Sequence, residues 1–277
     1  MAGAWSTEPL RPTDRGGLVC HHGHNFDSAR QGYVSLVGGG TTVKGDSPAM
    51  VRARRDFLAS GAFQPIAQAV VEAASAPAGR LADLGGGTGY YAAHLMDARP
   101  GWRGVLIDVS PAAARVAAQA HPRLAVATAD LWQVVPLVSD SVDLVTVVFA
   151  PRHPAEIERV LRPGGFCLVV APGSDHLIEL RADWPMIGVD AAKPARLADQ
   201  FAGWKLADHR VIEYRQRLSG ADIANVIAMG PSAFHLSLGA LDDIRNTAQP
   251  TTVTVSVGLH LFQPPGRQDH PTRAERG

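Results

Sequence analysis

Residues 81–90 read Leu81-Ala82-Asp83-Leu84-Gly85-Gly86-Gly87-Thr88-Gly89-Tyr90, an apolar run that ends in an acid and then turns on glycines. The apolar run predicts a buried strand, and the residues after the glycines predict the start of a helix. Glycines at this point let a ligand come close to the main chain, so that backbone N–H groups face it. This order of elements is typical of a ligand-binding α/β sheet.

The spacing of the glycines argues against a dinucleotide ligand. Gly85, Gly87 and Gly89 give G-x-G-x-G, whereas a dinucleotide fold needs G-x-G-x-x-G, and residue 90 is Tyr. Asp83 stands two residues before the first glycine, where a carboxylate suits an ammonium group better than a pyrophosphate. The order D-x-G-x-G-x-G resembles the first motif of class I S-adenosylmethionine-dependent methyltransferases. A tight strand-to-helix turn that binds no ligand is the alternative.

Two more acids follow apparent strands at similar intervals. Asp108 ends the run 105–107, and an acid about twenty residues after the glycines commonly accepts both ribose hydroxyls. Asp108 also precedes Ser110-Pro111, so an ordinary helix cap is an alternative that is compatible with ribose binding. Asp130 ends the run 125–129, and the methyltransferase resemblance implies that it and Leu131 bracket the adenine.

Composition limits the class of protein. The chain has 277 residues, of which 46% are hydrophobic and 19% charged, and its formal net charge is zero. This composition is typical of a globular protein, and a net charge of zero gives no overall electrostatic attraction to nucleic acid. No apolar run of about eighteen residues predicts a membrane span, and the N-terminus does not resemble a signal peptide. Two cysteines, Cys20 and Cys167, do not suggest disulfides, so a cytoplasmic location is expected.

The chain from residue 80 alternates strands and helices, which predicts a mostly parallel sheet. We expect strands near 80–84, 104–108, 124–127, 143–148, 166–171, 204–215 and 251–262. The fold class is therefore α/β and Rossmann-like: seven strands, mostly parallel, with the last antiparallel. We divide the chain into a disordered N-terminus (1–17), a small N-terminal module (18–45), the methyltransferase domain (46–263) and a disordered tail (264–277).

The N-terminal half carries a more specific resemblance. Its motifs are Cys20-x-x-x-His24-x-Phe26-Asp27-x-Ala29-Arg30-x-Gly32-Tyr33-Val34, Gly45-Asp46-Ser47, and Met50-Val51-Arg52-Ala53-Arg54-Arg55-x-Phe57-Leu58-x-x-Gly61-x-Phe63-x-Pro65. Further motifs are Phe149-Ala150-Pro151, Pro172-Gly173-Ser174-Asp175-His176-Leu177 and Ala228-Met229-Gly230-Pro231-Ser232. Over roughly residues 18–262 the chain resembles the 23S ribosomal RNA guanine-N1 methyltransferases, which include macrolide-resistance enzymes of actinobacteria.

The resemblance implies several further site residues. It places Phe63, Gly87, Thr88 and His176 around the cofactor, although an exposed histidine at a helix start is the plain alternative for His176. The resemblance implies that Arg54 or Arg55 contacts RNA or bridges parts of the core. The alternative is that these arginines form a solvated helix face, which is the usual role of such a cluster. Phe149 stands where related enzymes hold the target base, and it could equally belong to the core.

A zinc site is expected to be incomplete. The resembling family carries Cys-x-x-Cys followed by Cys-x-x-x-His, and here only the second pair, Cys20 and His24, is present. Residues 1–19 contain neither cysteine nor histidine, while a structural zinc needs four ligands. We therefore expect a degenerate zinc-ribbon module that serves RNA recognition, and no bound zinc.

The sequence thus predicts a cytoplasmic S-adenosylmethionine-dependent enzyme that methylates N1 of a guanine in 23S ribosomal RNA, with homodimerisation implied by analogy. Guanine N1 bears a proton, so a base is needed. Asp175, His153 and His176 are candidates, and the sequence selects none of them. A small-molecule methyltransferase with the same sheet, or a relic that binds cofactor and RNA without turnover, are the alternatives.

Overall fold

A computed structural model describes residues 10–14, 17–37, 43–184, 193–230 and 238–265. The strands are β1 (Arg11–Pro12), β2 (Leu18–Val19), β3 (Asn25–Phe26), β4 (Tyr33–Ser35), β5 (Ala78–Leu84), β6 (Gly101–Asp108), β7 (Leu124–Thr128), β8 (Val142–Val148), β9 (Leu161–Pro172), β10 (Lys205–Leu218) and β11 (Thr251–Gln263). The helices are α1 (Pro48–Ala59), α2 (Gln64–Ala73), α3 (Tyr90–Ala98), α4 (Pro111–Ala117), α5 (Pro154–Val160), α6 (Ile178–Asp183), α7 (Lys193–Gln200), α8 (Gly220–Ala228) and α9 (Leu238–Thr247).

The main sheet has the order β10-β11-β9-β8-β5-β6-β7-β4. Its central strands are parallel, and β11 runs antiparallel to both β9 and β10. This confirms the predicted Rossmann-like class and its antiparallel last strand. The carboxyl ends of β5, β6, β7 and β8 meet at one edge, where ligands bind in open α/β sheets.

Within the described residues the sheet has eight strands rather than the predicted seven, so the predicted count was wrong. The additional strand is β4, which pairs in parallel with β7 through Tyr33 opposite Val126. Leu36 N donates to Thr128 O at 2.8 Å, which extends the ladder. A three-residue strand carries almost no periodic signal of its own, and its pairing with β7 is set by tertiary contact. Part of the N-terminal module is therefore built into the main sheet.

A small antiparallel sheet in the order β1-β2-β3 joins the N-terminal module to the segment before it. Its first strand, β1, lies in the N-terminus that is predicted to be disordered, and Arg11 of β1 pairs with Val19 of β2. Between β2 and β3, Sγ of Cys20 lies 3.3 Å from Nδ1 of His24. Among the described residues, no three His, Cys, Asp or Glu side chains are grouped so that they could hold a metal ion.

Packing explains why the central strands form. β8 reads Val-Asp-Leu-Val-Thr-Val-Val, and nearly all of it is buried, as expected for a strand covered by helices on both faces. One core cluster includes Leu81, Leu106 and Leu168, and a second on the other face includes Ala82, Ile107 and Val145. Alternate residues of each strand thus point into the cores on opposite faces of the sheet.

Local capping sets the position of α1 beside the sheet edge. Ser47 Oγ accepts from Met50 N at 3.3 Å, and Pro48 occupies the first turn. Ser110, which caps α4, donates from Oγ to Asp46 O at 2.7 Å. The start of α1 is therefore tied to the start of α4, and α1 lies next to the loop after β5.

None of the helices within the described ranges is long and apolar enough to cross a bilayer. The predicted disordered tail, 264–277, falls outside the described residues except for 264 and 265, as do residues 1–9 of the predicted disordered N-terminus.

Candidate active site

The loop after β5 is built from three glycines in left-handed backbone conformations. Gly85, Gly87 and Gly89 have φ angles of 70°, 57° and 80°. A side chain at Gly85 would place its Cβ 2.5 Å from Cβ of Ala150, which shows how closely this loop packs on the loop after β8. Gly89 is also the N-cap of α3. The predicted strand–loop–helix is present, and its main chain is open to a ligand.

Asp83 holds a buried carboxylate that is only half satisfied. The side chain is 1% exposed, and Thr146 Oγ1 donates to Oδ1 at 2.8 Å. The other oxygen, Oδ2, is buried and has no hydrogen-bond partner within the described part of the chain. Burial, together with the charge of Asp108, raises the pKa of Asp83 to about 7. An unpaired carboxylate oxygen in this position is suited to a cationic ligand group.

Asp108 anchors the glycine loop. Its Oδ2 accepts from Gly87 N at 2.9 Å, and its Oδ1 accepts from Ser110 N at 2.8 Å. Burial raises the pKa of Asp108, and the two backbone N–H donors oppose that rise. The N-cap of α4 is Ser110, so the alternative that Asp108 is an ordinary helix cap was wrong. Asp108 instead holds the turn before the helix, and each oxygen of its carboxylate retains acceptor capacity for a further donor.

Asp130 and Leu131 follow β7 at the same edge of the sheet. Asp130 is 8% exposed, and its Oδ1 accepts from Trp132 N at 2.9 Å. A Cβ at Gly85 would lie 3.7 Å from Cδ1 of Leu131, so Leu131 lies against the glycine loop. The next side chain, Trp132, is exposed. The structure thus brings the three predicted acids, Asp83, Asp108 and Asp130, to one edge.

An aromatic cluster faces the glycine loop. The ring centroids of Phe63, Phe149 and His176 lie 5.7–6.0 Å from one another. Phe63 and His176 are buried, whereas Phe149 is 36% exposed. Phe149 also has φ of 56°, a left-handed conformation that bulky residues rarely adopt. Phe63 and His176, which are predicted to contact the cofactor, and Phe149, which is predicted to hold the base, therefore lie in one cluster, and Phe149 is its partly exposed ring.

His176 is held by the antiparallel strand β11. Its Nδ1 lies 3.4 Å from Ser256 N, in position to accept from it, and Gly173 N donates to Ser256 O at 2.9 Å. These bonds fix the loop after β9 against β11 and place the imidazole beside Phe63. His176 is 9% exposed, so the exposed position that the alternative assumed is wrong.

The arginines of α1 divide between two environments. Arg54 donates from Nη2 to Asp46 Oδ2 at 2.7 Å and to Met229 O at 2.8 Å. Its Cδ lies 3.5 Å from where a Cβ at Gly87 would be, so its guanidinium lies over the glycine loop. Arg55 is exposed and pairs with the neighbouring Asp56. Arg54 belongs to the site, and Arg55 lies on the outer face of the helix.

Sequence reasoning missed several residues of the pocket. Tyr91, at the start of α3, is buried, and its hydroxyl has no hydrogen-bond partner among the described residues. Burial raises its pKa well above the ordinary range. Only the pair Tyr90-Tyr91 directly after Gly89 could have signalled it. The pocket is lined by Arg54, Leu58, Phe63, Gly85, Gly86, Gly87, Thr88, Tyr90, Tyr91, Val148, Phe149 and Met229.

The chemistry of this pocket fits S-adenosylmethionine. Oδ2 of Asp83 is an unpaired oxygen that lies against Gly86, and Arg54, a cation paired with Asp46, lies against Gly87. The free volume is about 30 Å³, which is the space of roughly one water molecule. A nucleoside-sized ligand therefore requires movement of side chains in the pocket, and Phe149 is the partly exposed ring at its mouth.

Comparison with known proteins identifies the family of the chain. Residues 82–169 match the family described as a methyltransferase domain. The chain is 37% identical over 279 residues to “Putative 23S rRNA (guanine-N(1)-)-methyltransferase” of Micromonospora griseorubida, covering 93% of this chain and 95% of that protein. It is 41% identical over 233 residues to the 23S rRNA (guanine(748)-N(1))-methyltransferase of Streptomyces fradiae, covering 82% of this chain and 83% of that protein. The chain therefore belongs to the 23S rRNA (guanine-N(1)-)-methyltransferase family, whose enzymes depend on S-adenosylmethionine.

Proposed function

We propose that this protein transfers a methyl group from S-adenosylmethionine to N1 of a guanine in 23S ribosomal RNA. The observation that carries the proposal is the unpaired, buried Oδ2 of Asp83, which lies directly against Gly86 of the glycine loop. Gly86 lines the same pocket as the partly exposed ring of Phe149, so the carboxylate lies behind the wall of a pocket that offers a ring for stacking. The family relatives supply the choice of RNA and of guanine N1.

Each residue at the sheet edge is assigned to a different part of the cofactor. We assign the ammonium of the methionine part to Asp83 and its carboxylate to Arg54, with Thr88 and the N–H groups of the glycine loop nearby. Asp108 is assigned to the ribose hydroxyls, and Asp130 and Leu131 to the adenine. Phe63 and His176 close the opposite wall. S-adenosylmethionine supplies an activated methyl group on a sulfonium centre, so the protein needs no nucleophile of its own.

The remaining work of the protein is alignment and proton removal. Stacking on Phe149 would hold the guanine with its N1 edge toward the cofactor, since an extruded base is commonly held between aromatic side chains. The N1 proton has to leave, and we assign its removal to His176, whose ring centroid lies 5.9 Å from that of Phe149. Nδ1 of His153 caps α5 by accepting from Glu156 N at 3.2 Å, and Nδ1 of His176 faces Ser256 N in the same way, so these bonds do not decide between the two histidines.

Binding of the RNA involves surfaces outside this pocket. We propose that the N-terminal module, with its β1-β2-β3 sheet, helps to hold the RNA, and that Arg55 on the exposed face of α1 contacts phosphates. A homodimer that widens the RNA cleft, a cytoplasmic location and a role in macrolide resistance belong to the same proposal. Size-exclusion chromatography with light scattering tests the dimer.

Primer extension on 23S rRNA from cells with and without the gene tests the function. N1 methylation blocks Watson–Crick pairing, so a gene-dependent stop is expected at one guanine. Methylation of a metabolite without any such stop would indicate a small-molecule methyltransferase instead. Cofactor binding without methylation of naked rRNA or of ribosome assembly intermediates would indicate a relic without turnover.

A further inference from the structure

A groove rich in arginine lies at the edge of the main sheet opposite the candidate active site. It has about 410 Å³ of free volume, and its charged lining residues are Arg80, Arg103, Arg123, Arg162 and Asp143. These residues lie at or next to the amino ends of neighbouring strands. Because β9, β8, β5, β6 and β7 are adjacent in that order, the charges form a row across the sheet.

The row places like charges next to one another. Arg80 of β5 and Arg103 of β6 are register partners, and the next residue of β6, Gly104, donates from N to Arg123 O at 3.1 Å. Strands in a sheet are about 4.8 Å apart, so three arginine main-chain positions follow one another at that spacing. Like charges directly opposite on neighbouring strands are unfavourable. The row therefore costs stability wherever a guanidinium group lacks a partner.

Two of the arginines have structural partners. The guanidinium of Arg123 donates to main-chain oxygens, among them Trp102 O at 2.9 Å, and so ties β6 to the end of α3. Arg162 pairs with Asp143 at 2.7 Å, and the other oxygen of Asp143 accepts from Arg80 N at 2.7 Å. Asp143 therefore neutralises one arginine, and both of its carboxylate oxygens are engaged.

The side chains of Arg80 and Arg103 are left for a ligand. Both residues are exposed, and neither guanidinium makes a hydrogen bond or ion pair with another residue in the described ranges. A guanidinium presents a planar fork of donors that matches a phosphate group. Two guanidinium groups side by side in an open groove match the repeated phosphates of a nucleic-acid backbone better than they match a single acidic side chain.

We propose that this groove binds phosphates of the RNA backbone at a second site, remote from the methylated base. The inference rests on the proposed function, because it takes the RNA substrate as the ligand. Four residues of β5, 81–84, lie between Arg80 in the groove and Gly85 of the glycine loop, which corresponds to about 17 Å. The contact would be independent of base sequence and would orient the RNA on the protein.

The salt dependence of RNA binding tests the proposal. We would measure the Kd of a 23S rRNA fragment at several salt concentrations for the wild type and for Arg80→Gln/Arg103→Gln. Each lost phosphate contact lowers the slope of log K against log salt by about 0.7–0.9. The double variant should therefore show a slope smaller by about 1.4–1.8. Arg80→Lys/Arg103→Lys should retain the slope, as should the control Arg217→Gln on the far edge strand β10.

Two further readouts keep the result interpretable. The double variant should keep the melting temperature and cofactor affinity of the wild type, because neither side chain contacts the core or the cofactor pocket. Suppose that the wild type methylates rRNA and that the double variant is folded. An unchanged salt slope in the double variant would then overturn the groove assignment and point to another partner. If the wild type methylates no rRNA, the proposed function fails, whereas the slope still reports whether the groove holds phosphates.

Discussion

Thr146 Oγ1 donates a hydrogen bond of 2.8 Å to Asp83 Oδ1, and both side chains are buried. Thr146 lies on β8 and Asp83 on β5, and the two are register partners in adjacent parallel strands. The bond turns the carboxylate so that Oδ2 is left without a partner among the described residues. The geometry of the sheet thus holds one anionic oxygen ready for a cation.

Asp83→Asn should separate cofactor binding from stability. Removing the buried charge should stabilise the unliganded protein at pH 8 by about 1 kcal/mol or more, which corresponds to a rise in Tm of roughly 2–4 °C. The same substitution should weaken S-adenosylmethionine binding by about tenfold or more, because the ammonium loses its counter-charge. Calorimetric Tm and titration calorimetry measure the two effects. A variant that binds cofactor as tightly as the wild type would exclude Asp83 from the site.

The affinity for cofactor should depend on pH through Asp83. Burial raises the pKa of this carboxyl to about 7 in the folded protein, whereas an unfolded Asp titrates near pH 4. Between these values the folded state binds more protons than the unfolded state, so the free energy of unfolding falls as pH rises. Over the same range the carboxyl ionises, so cofactor affinity should rise from pH 5 to pH 8. Asp83→Asn should lose this part of the pH dependence, and an unaltered profile would contradict the assignment.

Arg54 and Arg55 offer a matched pair of substitutions. Arg54→Gln should raise the Kd of S-adenosylmethionine by about tenfold, since a charge-assisted contact of about 1.5 kcal/mol is lost. Arg55→Gln should leave that Kd unchanged and weaken RNA binding, because Arg55 lies on the exposed face of α1. Titrations with cofactor and with RNA distinguish the two roles. Equal effects of both variants on cofactor binding would rule out the division of labour.

Phe149→Ala should reduce turnover on RNA with little effect on the cofactor. Stacking of a base on an aromatic ring is worth about 1–3 kcal/mol, so kcat/KM for RNA should fall by roughly 10- to 100-fold. Phe149→Tyr keeps the ring and should retain most of the activity. The cofactor Kd should change by less than about threefold, because the ammonium and ribose contacts are elsewhere. Loss of cofactor binding in Phe149→Ala, with RNA affinity intact, would assign the ring to the cofactor instead.

Gly86→Ala should disturb Asp83 by direct contact. Gly86 is not among the glycines with positive φ, so alanine is allowed by the backbone there. The added Cβ would lie 2.3 Å from Asp83 Oδ2 and 2.5 Å from Cδ1 of Leu106, so one of these groups has to shift. Cofactor affinity should fall by an amount comparable to Asp83→Asn, as measured by titration calorimetry. Wild-type affinity in a folded Gly86→Ala protein would show that the carboxylate position is not critical.

Much of the sheet could be predicted because its strands are continuous apolar runs that end in acids. Asp83, Asp108 and Asp130 each mark a strand end, and parallel strands bring such ends to one edge. The same rule predicted that His176, which follows β9, lies at this edge of the sheet. These predictions rest on local patterns whose consequences are fixed by the topology.

The remainder depends on contacts between segments far apart in sequence. Nothing local shows that Arg54 reaches Met229 O, 175 residues away, while Arg55 faces solvent. Helical phase separates the two, but the face that is buried depends on what packs against it. Likewise β4 becomes a strand only by pairing with β7, and Tyr91 belongs to the pocket only because α3 packs behind the glycine loop.

Nucleoside mass spectrometry of 23S rRNA treated with the purified protein tests the central claim most directly. The RNA would be incubated with S-adenosylmethionine carrying an isotopically labelled methyl group, with Asp83→Asn as the control protein. We predict labelled N1-methylguanosine at a single position with the wild type and about tenfold less or none with Asp83→Asn. A label on a different base or atom, or no label in the RNA while the cofactor binds, would contradict the account.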